Sequence, residues 1–204
     1  MRVVFSLKNA VFLLCLIPLF ILVLNGLTDN LSAEPIKKVT HFTGDWTLYF
    51  LLITLSITPL RRFSGWNQLL RYRRMLGLYA FFYACLHFLT YFILDQFFDW
   101  GEIIRDIAKR PYITVGFSGF ILLIPLAITS TNKMMKKLGK NWKRLHSLVY
   151  VIGTLGILHF LWLVKADIRE PATFGIILIS LLFLRLPYIN NIRNYFRTQA
   201  TEQH

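Results

Sequence analysis

Residues 143–165 read KRLHSLVYVIGTLGILHFLWLVK, and this stretch decides what kind of molecule the chain forms. Beyond Lys143 and Arg144 no acidic or basic residue other than histidine appears until Lys165. A helix of about 20 apolar residues crosses a hydrocarbon core of about 30 Å, so the run has membrane-spanning length. It also holds two histidines, His146 and His159. Imidazole is costly among lipid tails, and ionisable groups within a span mark functional sites. Neutral imidazole is a good axial ligand for haem iron, so a buried haem is the first expectation for these side chains.

The rest of the chain agrees with that setting. Its 204 residues are 55% hydrophobic and include 18 Phe, 9 Tyr and 5 Trp, with a mean hydropathy of +0.52. A soluble domain of this size has no interior large enough for so much apolar surface, whereas a bilayer requires it. Six apolar segments are expected as transmembrane helices, at about 10–27, 46–60, 75–94, 111–130, 145–164 and 172–189. They imply one all-α integral membrane domain over residues 1–204, with no internal repeat and no second domain apparent. Arg2 and Lys8 precede the first apolar run as in a signal peptide, but no small-x-small cleavage site closely follows it. The first segment is therefore expected to be an uncleaved helix. Pro18 and Pro125 fall inside helices one and four and should kink them. Cys15 and Cys85 lie in separate apolar runs without CxxC spacing, which supports neither a zinc site nor a disulfide framework, so they are expected as small apolar side chains.

Charge orients the bundle. Arg2 and Lys8 precede helix one. Arg61, Arg62, Arg71, Arg73 and Arg74 separate helices two and three. Lys133, Lys136, Lys137, Lys140, Lys143 and Arg144 separate four and five, and Arg185, Arg193 and Arg197 close the chain. Every acidic residue except Glu202 lies on the opposite side, in segments 28–45, 95–110 and 165–171. The positive-inside rule makes the basic side cytoplasmic, so both termini are expected there. The formal net charge of +13 is thus a topology signal and a contact for anionic membrane lipid, not a nucleic-acid surface, because the charges flank helices.

Depth then sorts the histidines. His87 lies about twelve residues into helix three from its cytoplasmic entry, ~18 Å at ~1.5 Å per residue. His159 is ~21 Å into helix five by the same measure, and His146 only ~1.5 Å. His87 and His159 are therefore nearly level in the outer half of the bilayer, where two imidazoles on separate helices can clamp one iron. His146 sits at the cytoplasmic surface, where a second haem has one ligand on offer. The matching position on helix three is Arg74, which stays protonated and offers no lone pair. Arg71, Arg73 and Arg74 are better suited to pair with haem propionates. His146 and His159 also stand about 140° apart on an ideal helix. Either helix five is distorted, with Gly153 and Gly156 as permissive positions, or the two haems lie on different sides of it. His41, at the outer start of helix two, is expected as a helix-entry residue or part of an external docking surface.

Several motifs then carry a resemblance. HFTG (41–44), ITPLRR (57–62), RRMLGLYAFFYACLHFLTY (73–91), RPYITVGFSGF (110–120), LAITS (126–130) and LGKNWKRLHSLVYVIGTLGILHFLW (138–162) together resemble the MsrQ (YedZ) family. These are the haem-binding membrane subunits of the bacterial periplasmic protein-methionine-sulfoxide reductase system. The family belongs to the ferric-reductase-like transmembrane domains, which hold stacked b haems between paired histidines. By position, His87, His146 and His159 match its ligand histidines, and the fourth histidine of the larger superfamily is missing here.

The resemblance implies a multi-pass cytochrome b of the bacterial inner membrane carrying one or two b haems, with no catalytic residue of its own. Electrons would enter from the quinone pool or a cytoplasmic flavin reductase and leave to a periplasmic molybdopterin-containing partner that reduces methionine sulfoxide. The family is also associated with FMN, for which no phosphate-cradling glycine loop is seen. The residues read without the resemblance leave other functions open. A cytochrome b anchor of another periplasmic oxidoreductase fits equally, and a ferric-reductase-like electron carrier fits if a separate partner supplies the flavin domain. A small transporter with polar intramembrane residues would bind no haem.

Overall fold

The computed structural model of the chain describes residues 2–164 and 167–185, which contain helices and no strand. Among them nine α-helices follow in order. They are α1 (Arg2–Leu27), α2 (Pro35–Ser64), α3 (Leu70–Leu89), α4 (Trp100–Lys109), α5 (Pro111–Ile128), α6 (Asn132–Leu138), α7 (Lys140–His146), α8 (Leu148–Leu163) and α9 (Arg169–Phe183). Four stretches are long and apolar enough to cross a membrane: Leu7–Leu27, Asn67–Asp95, Pro111–Ile128 and Lys140–Leu163. The protein is accordingly an all-helical, multi-pass membrane protein.

The other two expected spans have a different character. Segment 46–60 lies within α2, a 30-residue helix diluted by Lys37, Lys38, Asp45, Arg61 and Arg62. It buries Leu48, Leu51, Leu52 and Leu55 in the bundle, so less of its surface has to suit lipid. The last expected span coincides with α9, of which 15 residues are described. The end of that span beyond residue 185 lies outside the described residues, as do Lys165, Arg193, Arg197, Glu202 and His204.

Helix also occupies stretches expected as loops. α2 begins early, at Pro35, where a proline without an N–H is well placed in a first turn. Segment 95–110 contains α4, whose N-cap Asp99 Oδ1 accepts from the Glu102 N–H at 3.0 Å. Thr131 Oγ1 caps α6 from the Met134 N–H at 3.3 Å. Each cap satisfies an orphan donor and lets a short helix form where hydropathy alone gives no signal. The fifth expected span is interrupted at Ser147, between α7 and α8, and not at Gly153 or Gly156. The Ser147 N–H lies 3.1 Å from Lys143 O and 3.2 Å from Arg144 O, so the helix tightens locally there.

The bundle is built from two antiparallel hairpins. In the first, Thr40 of α2 meets His87 of α3 while Thr54 meets Gly77, so the helices run in opposite directions. In the second, Tyr112 of α5 meets His159 of α8 while Thr129 meets His146. Phe50 of α2 stacks on Tyr79 and Tyr83 of α3, with ring centroids 5.6 and 5.2 Å apart. α9 packs Leu178 against Gly153. Arg185 just beyond it bonds the Tyr150 hydroxyl at 2.7 Å and also the Leu55 carbonyl.

α1 stands at the edge, with Leu13, Leu14 and Phe20 exposed on a lipid-facing surface. It is held to α3 by two tyrosines. Tyr79 donates to Phe12 O at 2.9 Å. The fully buried Tyr83 hydroxyl accepts from the Leu19 N–H at 3.1 Å and donates to Cys15 O at 3.0 Å. Leu19 N–H and Cys15 O are an ordinary i to i−4 pair, so the hydroxyl bonds the helix ladder beside Pro18. A proline with a side chain bonded to the ladder beside it is a sufficient cause for a kink.

Candidate functional site

α3 and α8 deliver His87 and His159 to the same end of the bundle. Their ring centroids are 6.1 Å apart and the ring planes lie at 79°. His87 Nδ1 is 2.9 Å from the Thr40 carbonyl oxygen, and His159 Nδ1 is 2.7 Å from that of Tyr112. A carbonyl can only accept, so Nδ1 carries the proton in both rings. Each Nε2 then keeps a lone pair, which is the state and orientation that metal-ligating histidines adopt.

Two glycines make this possible. Gly44 and Gly116 lie one turn after Thr40 and Tyr112, and each passes directly beside a ring. A Cβ on Gly116 would fall 2.6 Å from His159 Nδ1 and 2.9 Å from its Cε1. A Cβ on Gly44 would fall 3.1 Å from His87 Cε1 and 3.2 Å from its Nδ1. In both hairpins, 47 positions separate the carbonyl residue from its histidine. The arrangement therefore occurs twice, once per hairpin.

The paired rings border a cavity of about 290 Å³. Its walls include Leu48, Leu51, Ile152 and the stacked rings of Phe88 and Phe120, whose centroids are 4.9 Å apart. Its polar side carries Asp45, Tyr91 and Arg110. α4 closes this end, with Ile103 and Ile107 facing the cavity. Its buried Asp106 pairs with Arg110 Nε at 3.0 Å and accepts from the Tyr91 hydroxyl at 3.1 Å. Between α3 and α4, Thr90–Asp95 forms a π-helical turn directly after the His87 segment, a local widening often seen at functional sites.

The donor set fits a haem. Two metal–imidazole bonds of about 2 Å plus the half-widths of two rings come to roughly 6 Å between ring centres, and the observed spacing is 6.1 Å. Among the described residues no group of three or more His, Cys, Asp or Glu is placed to hold a metal ion. Two neighbouring imidazoles that both keep an Nε2 lone pair, without further protein ligands, would suit a haem iron.

The remaining predicted residues gather around a second cavity of about 350 Å³ at the opposite, basic end. Arg71, Arg73, Arg74 and His146 all line it, together with Trp142 and Leu126. The His146 ring stacks on Trp142 with centroids 4.0 Å apart, and its Nε2 lies 3.0 Å from Thr129 Oγ1. The Thr129 hydroxyl donates to Pro125 O at 2.6 Å, so the proton on the bond to histidine comes from Nε2. That nitrogen is thus engaged, unlike those of His87 and His159. Arg74 bonds Asn132 Oδ1 of α6. His41 falls inside α2 and lines the cavity bordered by His87 and His159.

Sequence reading missed Thr40, Gly44, Tyr112, Gly116, Thr129 and Trp142. Backbone carbonyls and glycines carry no chemistry that hydropathy or ligand spacing detects. One signal was present: HFLT (87–90) and HFLW (159–162) begin alike, and each follows its glycine at the same interval.

Residues 43–157 match the family model of the ferric reductase like transmembrane component. A relative from Herminiimonas arsenicoxydans, the protein-methionine-sulfoxide reductase haem-binding subunit MsrQ, is 59% identical over 182 residues, covering 88% of this chain and 84% of its own. Proteins of the same name are 50% identical in Ralstonia nicotianae, over 90% of this chain and 86% of theirs, and 56% identical in Xanthomonas euvesicatoria, over 79% and 74%. No solved structure matches the chain.

Proposed function

The chain belongs to the MsrQ family of the ferric-reductase-like transmembrane proteins, and from that premise we propose that it is the membrane cytochrome b of a methionine-sulfoxide repair system. The observation that carries the reading is the close pair His87 and His159, each with Nδ1 committed to a carbonyl and Nε2 left with its lone pair. A haem held there supplies one-electron storage at a tunable potential. The chain's own part is to fix both imidazoles, to surround the ring with Phe88, Phe120 and Leu51, and to limit water behind α4. No CxxCH attachment motif occurs, so the haem is b-type.

The basic cavity is the second cofactor site. Arg71, Arg73 and Arg74 supply guanidinium partners for an acidic cofactor, either the propionates of a second haem or the phosphate of FMN. His146 would be available to an iron there if its Nε2 released Thr129. Electrons enter on this side, from quinone or a cytoplasmic flavin reductase, and leave by the outer haem. The basic residues that flank the helices on one side support six spans in the inner membrane, with both termini cytoplasmic and α4 on the periplasmic side.

Reduction of methionine sulfoxide takes two electrons and two protons and yields methionine and water. The chain contributes electrons to this step, and a periplasmic molybdenum-containing reductase supplies the catalytic site. In sealed vesicles of known orientation carrying reduced protein, adding that reductase with a sulfoxide substrate should reoxidise the haem from the α4 side. Reoxidation that needs no reductase, or that occurs only from the basic side, would overturn the assignment.

A further inference from the structure

We infer that Gly44 and Gly116 are the positioning residues of the outer iron site, one in each of two hairpins that repeat the same arrangement of carbonyl, glycine and histidine. The inference rests on the reading of His87 and His159 as the iron ligands. In each hairpin an outer-end carbonyl takes the Nδ1 proton, a glycine one turn later lies against the ring, and the histidine follows 47 positions after the carbonyl. A helix normally surrounds itself with side chains, and a ring reaching a main-chain carbonyl of a neighbouring helix would collide with the residue one turn further on. Glycine removes that obstacle. The carbonyl and the missing Cβ thus form one device: the oxygen fixes the tautomer and the flat backbone fixes the ring's tilt and reach.

The two hairpins are unequal, and this sets a graded expectation. At Gly116 a Cβ would meet His159 Nδ1 at 2.6 Å, closer than real Cβ contacts come, so the ring must move and its bond to Tyr112 must break. At Gly44 the nearest approach is 3.1 Å, which a small displacement of His87 relieves. Gly175 is the control. It faces Ile157 on the same helix as His159, and a Cβ there would sit at an ordinary 3.7 Å. Loss of the partners that orient a metal ligand commonly lowers affinity by about 10–100-fold.

The test uses the full-length protein purified in detergent, with haem per protein, low-spin absorption and midpoint potential measured together. Gly116→Ala should lose haem affinity about 10-fold or more and convert what remains to a five-coordinate, high-spin form. Gly44→Ala should keep the haem, with a displaced potential and an altered low-spin spectrum. Gly175→Ala should match the parent in all three. Should Gly116→Ala fail to accumulate, Gly44→Ala decides alone, since an unchanged potential and spectrum would overturn the inference. So would a Gly116→Ala protein with parental haem, or a Gly175→Ala protein damaged equally. His87→Ala and His159→Ala proteins that retain all haem would overturn the site reading itself. Their loss of haem beside unaffected glycine variants would overturn only the positioning role.

Discussion

At the scale of single residues, the chemistry lies in which nitrogen of each histidine is left free. His87 and His159 spend Nδ1 on carbonyl oxygens, whereas His146 spends Nε2 on the Thr129 hydroxyl. The two sites are therefore not copies of each other. His146→Ala should leave the outer low-spin spectrum intact and lower the total cofactor content, measured as haem and flavin per protein. Loss of the outer haem in that variant would contradict the separation of the two cavities. The histidines and arginines were legible in the sequence because a polar group inside or beside an apolar run is conspicuous. Gly44 and Gly116 were not, since glycine is frequent in membrane helices and its meaning here lies in what stands beside it. Thr129 was hidden for a related reason, because its partner is on another helix.

At the scale of elements, Tyr83 shows how a helix with little buried surface is retained. Its hydroxyl bonds both Leu19 N–H and Cys15 O, groups that are also i to i−4 partners of one helix, so removing it leaves α1 its own ladder. Tyr83→Phe should therefore destabilise the purified protein by no more than about 1 kcal/mol, within the range for interhelical bonds in membranes, with an unchanged haem spectrum. Thermal unfolding in detergent checks this, and a loss well beyond that range would mean that α1 has no ladder to fall back on. Long apolar helices were read correctly from hydropathy, because about 20 residues of one character leave a strong signal. α4 and α6 escaped because the signal of each is a single cap, Asp99 or Thr131, before a short helix, and α7 because its N-cap is Gly139, with no side-chain cap at all. The break at Ser147 escaped as well, since no proline or glycine marks it.

At the scale of the whole molecule, two hairpins face each other across the outer cavity, and the basic end gathers the arginines around the other. Asp29 to Glu34 on one side and Ser64 to Gln68 on the other should therefore face opposite compartments. In a background free of Cys15 and Cys85, a cysteine at Asn30 should react with a membrane-impermeant thiol reagent in intact cells with permeable outer membranes. One at Ser64 should react only after lysis, and the reverse pattern would invert the bundle. The proposed site places one iron between His87 and His159. Its most direct test is the low-temperature electron paramagnetic resonance spectrum of the oxidised protein. Ring planes at 79° predict a low-spin ferric signal of the strongly anisotropic kind that crossed axial imidazoles produce. That signal should disappear in both His87→Ala and His159→Ala. An outer haem that is high-spin in the parent protein, or a low-spin signal that survives either substitution, would contradict the account.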